Sequence, residues 1–247
     1  MESLLKLNTV EPISTILDIQ NLSYTYDKKN LGNIINNINF SMNQHEIIAI
    51  AGPNGAGKTT FLKLLIGLLK PQTGKIFING TEVINPRELS NSIGFVFQNP
   101  DEQVFFPHVE EDIAFGLRNL GTPENEIDEK VHTVMHQLKI TYLSGRTFFS
   151  LSFGEKKKVS IAGVVVTYPK IIILDEPTIG LDPWSKKDIV KIILDLAKDT
   201  SIILATHDFE LLQQVNRILF LWEGKFREFE NFKDFENFSA EFVPTKE

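Results

Sequence analysis

The stretch IIAIAGPNGAGKTTFLKLLIG, from Ile47 to Gly67, decides the fold of this chain. A short apolar run, Ile47 to Ala51, leads into a glycine-rich turn, and the turn passes into a leucine-rich segment with helical periodicity. The order of strand, glycine-rich loop and helix is the setting in which the pattern G-x-x-x-x-G-K-[ST] binds phosphate. A glycine turn that ended in Lys-Thr by accident would not need both flanking elements. The chain is therefore predicted to bind a nucleoside triphosphate.

The residue types of this loop suit an anion. Gly52, Gly55 and Gly57 have no Cβ, so the backbone can take positive φ and curl around phosphate. The exposed N–H groups of the loop and the positive end of the following helix then point at the phosphates. Lys58 can reach the β- and γ-phosphates, and the Thr59 hydroxyl can ligate Mg²⁺. The predicted nucleotide-binding residues of the loop are Gly52, Pro53, Asn54, Gly55, Ala56, Gly57, Lys58, Thr59 and Thr60.

Composition narrows the classes of function. The 247 residues fit one substantial domain, with or without an inserted lobe, and a hydrophobic content of 42% suffices for a core. A net charge of −7 argues against a nucleic-acid surface, which would need a basic face. The lack of cysteine excludes disulfides and thiolate metal sites. Because no signal peptide is recognisable and no apolar run approaches the ~18 residues of a membrane span, we expect a soluble, cytosolic chain.

The rest of the chain alternates predicted strands with predicted helices. Residues 15–26 alternate apolar and polar side chains as a strand does, and Phe40 to Met42 is the predicted hairpin partner. Further strands are predicted over 75–79, 94–97, 171–174, 201–205 and 218–222. Helices are predicted over 58–69, 109–119, 124–139, 155–166, 185–198 and 208–216. Strands that alternate with helices, with polar residues after the strands, indicate a parallel α/β sheet.

Residues 100–165 differ in character, because they contain several helical patterns and no convincing strand. A helical lobe inserted into an α/β core is the simplest account. The predicted division is a single domain over 13–228, with its core at 13–98 and 167–228 and a helical subdomain at 99–166, and a Phe-rich tail at 229–247. Phenylalanine recurs every three or four residues from 226 to 242, where a helix would put part of the set on one face. This stripe either packs onto the chain's own core or forms a self-association surface.

Polar side chains follow the ends of several predicted strands. Asp175 can hold Mg²⁺ directly or through water. Glu176, one residue on, faces a different direction in extended chain and is placed to act as general base on the attacking water. The amide of Gln98 can bridge metal and water, and His207 can donate a hydrogen bond to the γ-phosphate. An Asp-Glu pair also occurs in ordinary turns, so its presence beside a phosphate loop is what favours catalysis.

A second helix start lies in LSFGE, residues 151–155. Ser152 is a good N-cap, and free N–H groups there would again favour phosphate. The lysines at 156–158 are most typical of a solvated helix face. Two phosphate-binding helix starts in one chain suggest that one ATP is held between the loop of one subunit and this element of another.

Two tyrosines, Tyr24 and Tyr26, close the first predicted strand. They can form a half-buried pair, which is a purely structural role. Alternatively, the ring of Tyr26 stacks on a nucleobase. The residues alone leave both interpretations open.

These motifs, in this order, resemble those of ABC-type ATPase subunits. GPNGAGKT (52–59) resembles the Walker A motif, IIILDE (171–176) the Walker B motif, LSFGE the signature and TIGLD (178–182) the D-loop. The likeness runs from Leu17 to Phe226. It implies that Gln98 belongs to the Q-loop, that His207 is the switch histidine and that Tyr26 stacks on adenine. The implied catalytic residues are Glu176, His207, Lys58 and Gln98, the implied metal ligands are Thr59, Gln98 and Asp175, and the implied partner-facing residues are Ser152, Phe153, Gly154, Glu155 and Asp182.

The run FVFQNPDEQVFFPHVEEDIAFGLRN, residues 95–119, resembles the ATPases of energy-coupling factor transporters, a group that imports cobalt, nickel, biotin and other vitamins. The resemblance implies an α/β, RecA-like P-loop core with a parallel sheet, an N-terminal antiparallel β part and an inserted helical subdomain. It also implies a homo- or heterodimer that sandwiches two ATP molecules with Mg²⁺. That dimer would dock on an integral membrane transporter subunit, whose coupling helices enter a groove beside the Q-loop. The implied location is the cytoplasmic face of the cell membrane, as a peripheral protein without a nucleic-acid partner.

Two residues depart from the family pattern L-S-G-G-Q. Phe153 replaces the first glycine, so the loop must have a conformation that an L-residue tolerates. Glu155 replaces the glutamine and adds negative charge near triphosphate, which is unfavourable unless Lys156 or Lys157 offsets it, although an acidic residue suits a first helical turn. The change is either a tolerated variant or the mark of one member in an unequal ATPase pair.

Three functions compete at this point. The first is transport, in which ATP binding closes the dimer, hydrolysis assisted by Glu176 reopens it, and a membrane partner is driven. The second is a soluble ABC ATPase that acts in assembly or repair, but such proteins often carry tandem cassettes or long insertions, and this chain has neither. The third, a P-loop kinase, would leave Glu176 and LSFGE without a role.

Overall fold

A computed structural model describes residues 14–26, 34–84, 89 and 92–242. The predicted domain start at residue 13 and the last residues of the predicted tail, 243–247, lie outside the described residues. The strands are β1 Thr15–Tyr24, β2 Ile35–Asn43, β3 Ile47–Ala51, β4 Thr73–Ile78, β5 Thr81–Glu82, β6 Ile93–Val96, β7 Ile171–Asp175, β8 Ser201–Ala205, β9 Arg217–Trp222 and β10 Lys225–Phe229. The α-helices are α1 Lys58–Leu65, α2 Val109–Asn119, α3 Glu124–Gln137, α4 Phe153–Val165, α5 Pro183–Leu196, α6 Phe209–Leu212 and α7 Phe232–Glu241.

Two sheets form the frame of the molecule. The larger sheet has the order β10-β9-β3-β8-β7-β6, in which β10 alone is antiparallel to its neighbour. The smaller sheet is antiparallel, with the order β2-β1-β4-β5. Every residue of β3, β7 and β8 is buried, which explains why these strands read as continuous apolar runs. The predicted fold class is confirmed, since helices α2 to α4 enter between β6 and β7 of the parallel sheet.

Helix α1 lies between the two sheets and determines where the phosphate loop sits. Phe61, Leu62 and Leu65 are fully buried in one core together with Ile48 and Ile50 of β3. The other face of β3 packs in a second core that includes the helices inserted after β6. Because α1 is fixed between the two layers, the loop that precedes it is held at the carboxyl end of β3.

Two helices are shorter than predicted. Helix α1 ends at Leu65 and not at residue 69, because Gly67 takes a left-handed conformation with φ +73° just after the helix. The helix predicted over 208–216 is the four-residue α6. Helices α2, α3 and α4 match their predicted positions within two residues, and the division of the chain into subdomains stays a prediction.

The phenylalanine stripe packs onto the chain's own core. Phe226 belongs to strand β10, not to a helix, and its ring contacts those of Phe40 and Phe61 edge to face. Phe229 and Phe235 are buried. The rings of Phe238 and Phe242 lie 5.0 and 4.9 Å from that of Phe220 on β9. Of the two interpretations of the stripe, core packing is confirmed. None of the described helices is both long and apolar enough to cross a bilayer.

Candidate functional site

The loop between β3 and α1 has the backbone that its glycines predict. Gly52, Gly55 and Gly57 have φ values of +144°, +81° and +104°. A Cβ on Gly52 would lie 2.5 Å from the carbonyl oxygen of Leu221, and one on Gly57 would lie 2.8 Å from Cγ2 of Ile34. Around Gly55 the space is open. Gly52 and Gly57 are therefore required both by their positive φ and by the lack of space for a Cβ, whereas Gly55 is required by its positive φ alone.

Lys58, the first residue of α1, is folded back over this loop. Its Nζ donates hydrogen bonds to the carbonyl oxygens of Gly52 at 2.8 Å and Pro53 at 3.2 Å, and lies 3.2 Å from Nε2 of His207. Burial lowers the pKa of Lys58, while the charge of Glu176 works in the opposite direction. Lys58 as a whole is only 8% exposed, so the loop presents the ammonium group of a buried lysine to the anion that it binds.

Thr59 and Asp175 meet across the site. The Thr59 hydroxyl donates to Oδ2 of Asp175 at 3.3 Å. Asp175 is the last residue of β7, and burial raises its pKa, partly offset by the hydrogen bond from Thr59. Both residues line a cleft of about 470 Å³ that Gln98 also lines. Hydroxyl, carboxylate and amide oxygens are the donors that Mg²⁺ accepts, so the set predicted from the sequence fits that ion chemically.

Glu176 has an unusual backbone that the sequence did not predict. Its φ is +44°, so the expectation of an extended chain at this residue is wrong. Its N–H donates to the carbonyl oxygen of Ala205 at 2.9 Å, which continues the β7–β8 ladder by one bond. Its Oε2 accepts the backbone N–H of His207 at 3.4 Å. Burial raises the pKa of Glu176, and the side chain is only 13% exposed.

His207 stands between an acid and a cation. Its Nε2 lies 3.2 Å from Oε1 of Glu176 and 3.2 Å from Nζ of Lys58. Burial, and then the charge of Lys58, lower the pKa of His207, which favours the neutral ring at pH 7. A neutral ring nitrogen either donates or accepts, so Nε2 satisfies one of these two neighbours at a time.

Tyr26 lies beside the start of α1. The ring is 58% exposed, and its hydroxyl is 3.3 Å from Oγ1 of Thr60. The ring of Tyr24 meets it edge to face at 5.0 Å. Both interpretations of the pair are compatible with this arrangement, because the contact of the two rings leaves the ring of Tyr26 open to a planar ligand.

The signature segment forms the start of α4. Ser152 caps the helix, and Glu155 completes a capping box in which each side chain bonds the backbone N–H of the other. Burial would raise the pKa of Glu155, but the hydrogen bonds from Ser152 outweigh it and lower the pKa. The cation beside Glu155 is Arg146, at 3.7 Å, and not Lys156 or Lys157 as the sequence suggested. Phe153 is the first helical residue, a position that an L-residue tolerates.

The D-loop segment packs against that helix start. Asp182 caps α5 by accepting the N–H groups of Trp184 and Ser185. A Cβ on Gly154 would lie 2.6 Å from Oγ of Ser185, so the first turns of α4 and α5 are in close contact.

The prediction of a solvated lysine face at 156–158 is wrong. Lys156 pairs with Asp101 and Lys158 with Asp188, each at 2.7 Å. Lys157 is fully buried and donates to the carbonyl oxygens of two residues at the Q-loop, Phe97 and Gln98. Helical spacing was the available signal, because residue 157 precedes the buried Ile161 by four positions and shares its face.

A polar network behind Glu176 and His207 was also missed. The Thr178 hydroxyl donates to Oδ2 of Asp208 at 2.7 Å, and Nζ of Lys186 lies 2.8 Å from Oδ1 of Asp208. The network joins the segment after Glu176 to the segment after His207. The sequence offered no signal for it, since the three residues come from different elements.

Comparison with known proteins identifies a matching family profile and several similar proteins. The family profile described as ABC transporter matches residues 35–179, more than half of the chain. The chain is 38% identical over 216 residues to the energy-coupling factor transporter ATP-binding protein EcfA of Methanothermobacter thermautotrophicus, covering 85% of this chain and 69% of that protein. It is 39% identical over 203 residues to the energy-coupling factor transporter ATP-binding protein EcfA2 of Clostridium perfringens, covering 80% and 70%.

A solved structure is similar along almost the whole chain. The protein cbiO1 of Clostridium perfringens, part of the ABC transporter complex cbiONQ, has a TM-score of 0.82 and 35% identity to this chain. The match covers 92% of this chain and 93% of cbiO1.

Proposed function

This chain belongs to the ABC transporter family of ATPases, as an ATP-binding subunit of the energy-coupling factor type, and we propose that it hydrolyses ATP to energise import of a metal ion or a vitamin. One structural observation carries the catalytic part of the proposal. Lys58, Glu176 and His207 meet within hydrogen-bond distance at the ends of neighbouring strands. Strand β8 lies between β3 and β7, so the segments that follow these strands share one edge of the sheet.

Glu176 is the proposed general base. A carboxylate with a raised pKa is a stronger base than one in water, so it is better able to take a proton from an attacking water molecule. Its unusual φ and its bond to the N–H of His207 hold the carboxylate in place. His207, neutral at pH 7, is the proposed donor to the γ-phosphate and the contact that is lost once that phosphate leaves.

The remaining residues bind the triphosphate. Lys58 brings positive charge to the β- and γ-phosphates, where negative charge is redistributed during phosphoryl transfer. Thr59, Gln98 and Asp175 would hold Mg²⁺, which neutralises phosphate charge when it is bound. Tyr26, exposed beside Thr60, is the proposed platform for adenine.

The site is proposed to be completed by a second ATPase subunit, either a copy of this chain or a paralogue. Ser152 is exposed at the start of the 13-residue helix α4, and the positive end of a helix attracts phosphate. We assign Ser152, Phe153, Gly154 and Glu155, together with Asp182 in the D-loop, to the face that meets the partner's nucleotide.

The membrane partner is proposed to dock beside Gln98, which would place the chain peripherally at the cytoplasmic face of the cell membrane. Phe105, seven residues further along the chain, is 68% exposed, and its ring lies 4.5 Å from the half-buried ring of Phe115. An exposed ring that packs on a second, half-buried ring suits an apolar helix of a partner protein. The similar protein cbiO1 is itself part of a transporter complex.

Two measurements test the proposed function. Purified protein should hydrolyse ATP in the presence of Mg²⁺, and tagged protein isolated from mildly solubilised membranes should retain an integral membrane protein. Hydrolysis without any membrane partner would favour a soluble ABC ATPase. Absence of both would contradict the assignment.

A further inference from the structure

Helix α4 is fastened to the segment that carries Gln98 by a buried lysine. Lys157 has no exposed surface, yet its Nζ donates to the carbonyl oxygens of Phe97 at 3.0 Å and Gln98 at 2.5 Å. One ammonium group therefore holds two successive peptide carbonyls at the end of β6. The orientation of those peptides determines where the side chain of Gln98 begins.

Gln103 makes a second connection between the same two segments. Its Oε1 accepts the N–H of Phe97 at 3.1 Å, and its Nε2 donates to the carbonyl oxygen of Ser160 on α4 at 2.8 Å. Phe97 is thus held at its N–H by Gln103 and at its carbonyl by Lys157. The more exposed ion pair between Lys156 and Asp101 is a third contact between these two segments.

The charge of Lys157 is not needed for packing. Burial of an ammonium group is costly unless its donors are matched, and an apolar side chain of similar length would fill the space without that cost. Lys156 and Lys158 on the same helix turn outward to carboxylates, whereas Lys157 turns inward to peptide oxygens. Lys157 fixes the distance between the Gln98 peptide and α4. An apolar residue cannot do this, because it has no hydrogen-bond donor.

We propose that Lys157, together with Gln103, is a positioning residue. It fixes the position of Gln98, which serves the nucleotide site of its own subunit, relative to Ser152 and Gly154, which face the nucleotide site of the partner subunit. The inference rests on the function proposed above. Ser152 lies five residues before Lys157, or about 7.5 Å along the helix axis. Any shift of the Gln98 peptide is therefore transmitted to the signature segment over less than two helical turns.

The test compares Lys157→Met with Lys158→Met, the same change one residue further along the same helix. The hydrogen bonds of Lys157 go to peptide oxygens and not to a predicted nucleotide-binding side chain, so we expect the affinity of the isolated subunit for a fluorescent ATP analogue to stay within about twofold. The loss of hydrogen bonds from a charged group should lower kcat by about tenfold to a hundredfold with KM unchanged. In a Glu176→Gln background, the ATP-dependent dimer should weaken in parallel. Lys157→Arg, which keeps the donors, should recover part of kcat.

Equal kcat in Lys157→Met and Lys158→Met would overturn the inference, as would a loss of nucleotide affinity that matches the loss of kcat. If thermal melting shows that Lys157→Met does not fold, Gln103→Leu decides: a lowered kcat at constant KM supports the inference, and wild-type kcat overturns it. A wild-type protein that hydrolyses no ATP would remove the proposed function and this inference together. Unaffected variants of an active wild-type protein remove the inference alone.

Discussion

Glu176 contacts His207 through both of its carboxylate oxygens, one at the backbone N–H at 3.4 Å and one at Nε2 of the ring at 3.2 Å. Glu176 holds this position with a φ of +44°, a conformation that costs a non-glycine residue about 1–3 kcal/mol. Because the same ring nitrogen lies 3.2 Å from Nζ of Lys58, the strained residue completes a chain of acid, imidazole and cation. Such strain is typical of a site in which the position of one side chain matters more than stability.

The ring of His207 should matter for turnover and not for nucleotide binding. We expect His207→Ala to lower kcat by about tenfold to a hundredfold, because the γ-phosphate loses a hydrogen-bond donor and Glu176 loses a neighbour. Affinity for ATP should change little. His136→Ala, at an exposed position of α3, is the matched control in steady-state assays. A normal kcat in His207→Ala would rule out its assigned role.

The glycines of the phosphate loop should differ in their sensitivity. Gly52→Ala combines positive φ with a contact of 2.5 Å to the Leu221 carbonyl, whereas Gly55→Ala meets only the conformational cost. We expect Gly55→Ala to lower the free energy of unfolding by about 1–2 kcal/mol, and Gly52→Ala to lower it by at least about 1 kcal/mol more. Urea denaturation at pH 7 measures both. Equal losses would show that the backbone around Leu221 relaxes freely.

The structure accounts for the unusual Glu155. Glutamine can form the same capping box, so Glu155→Gln should change the free energy of unfolding by less than ~0.5 kcal/mol. Glu155→Ala should lose ~0.3–1.5 kcal/mol, because the N–H of Ser152 loses its acceptor. Thermal melting of the two variants beside wild type checks this. Equal melting temperatures for all three would show that the capping box adds no stability.

The sequence predicted those features that local chemistry determines. The phosphate loop, the buried strands and the helices after β6 each follow from periodicity, glycine placement and N-cap residues within one segment. The polar residues after β3, β7 and β8 were predictable as a group, because parallel strands bring their carboxyl ends to one edge.

What the sequence did not predict depends on contacts between segments. The φ of Glu176 follows from its bond to Ala205 on the neighbouring strand, and a pattern of residue types does not reveal it. Lysines usually lie on solvated faces, so residue types alone predict that position for Lys157, whereas the peptide oxygens that accept its hydrogen bonds belong to Phe97 and Gln98, just after β6. The early end of α1, by contrast, follows from a local signal, since Gly67 marks a helix terminus.

Asp208 should make stability depend on pH. Burial would raise the pKa of Asp208, but hydrogen bonds from Lys186 and Thr178 outweigh it and lower the pKa below its ordinary value. A lowered folded-state pKa means that the stabilisation is present above the unfolded pKa of ~3.9 and is lost as pH falls through the folded value. Asp208→Asn should therefore be less stable than wild type by about 1–3 kcal/mol at pH 7. The difference in free energy of unfolding between Asp208→Asn and wild type should become smaller below about pH 4.

The control is Asp188→Asn, which breaks the surface pair with Lys158 and should cost at most about 1 kcal/mol. Urea midpoints at a series of pH values measure both variants. A gap between Asp208→Asn and wild type that stays constant down to pH 3 would contradict the assignment of this pH dependence to Asp208.

The most direct test of the account is ATP turnover by Glu176→Gln. The amide keeps the size of the side chain and its acceptor for the His207 N–H but cannot take a proton from water, so kcat should fall by at least about a hundredfold. ATP should still bind, and the variant should accumulate as an ATP-bound dimer in size-exclusion chromatography with Mg²⁺ present. Hydrolysis by Glu176→Gln at the wild-type rate would contradict the account, because the proton would then be taken by another group.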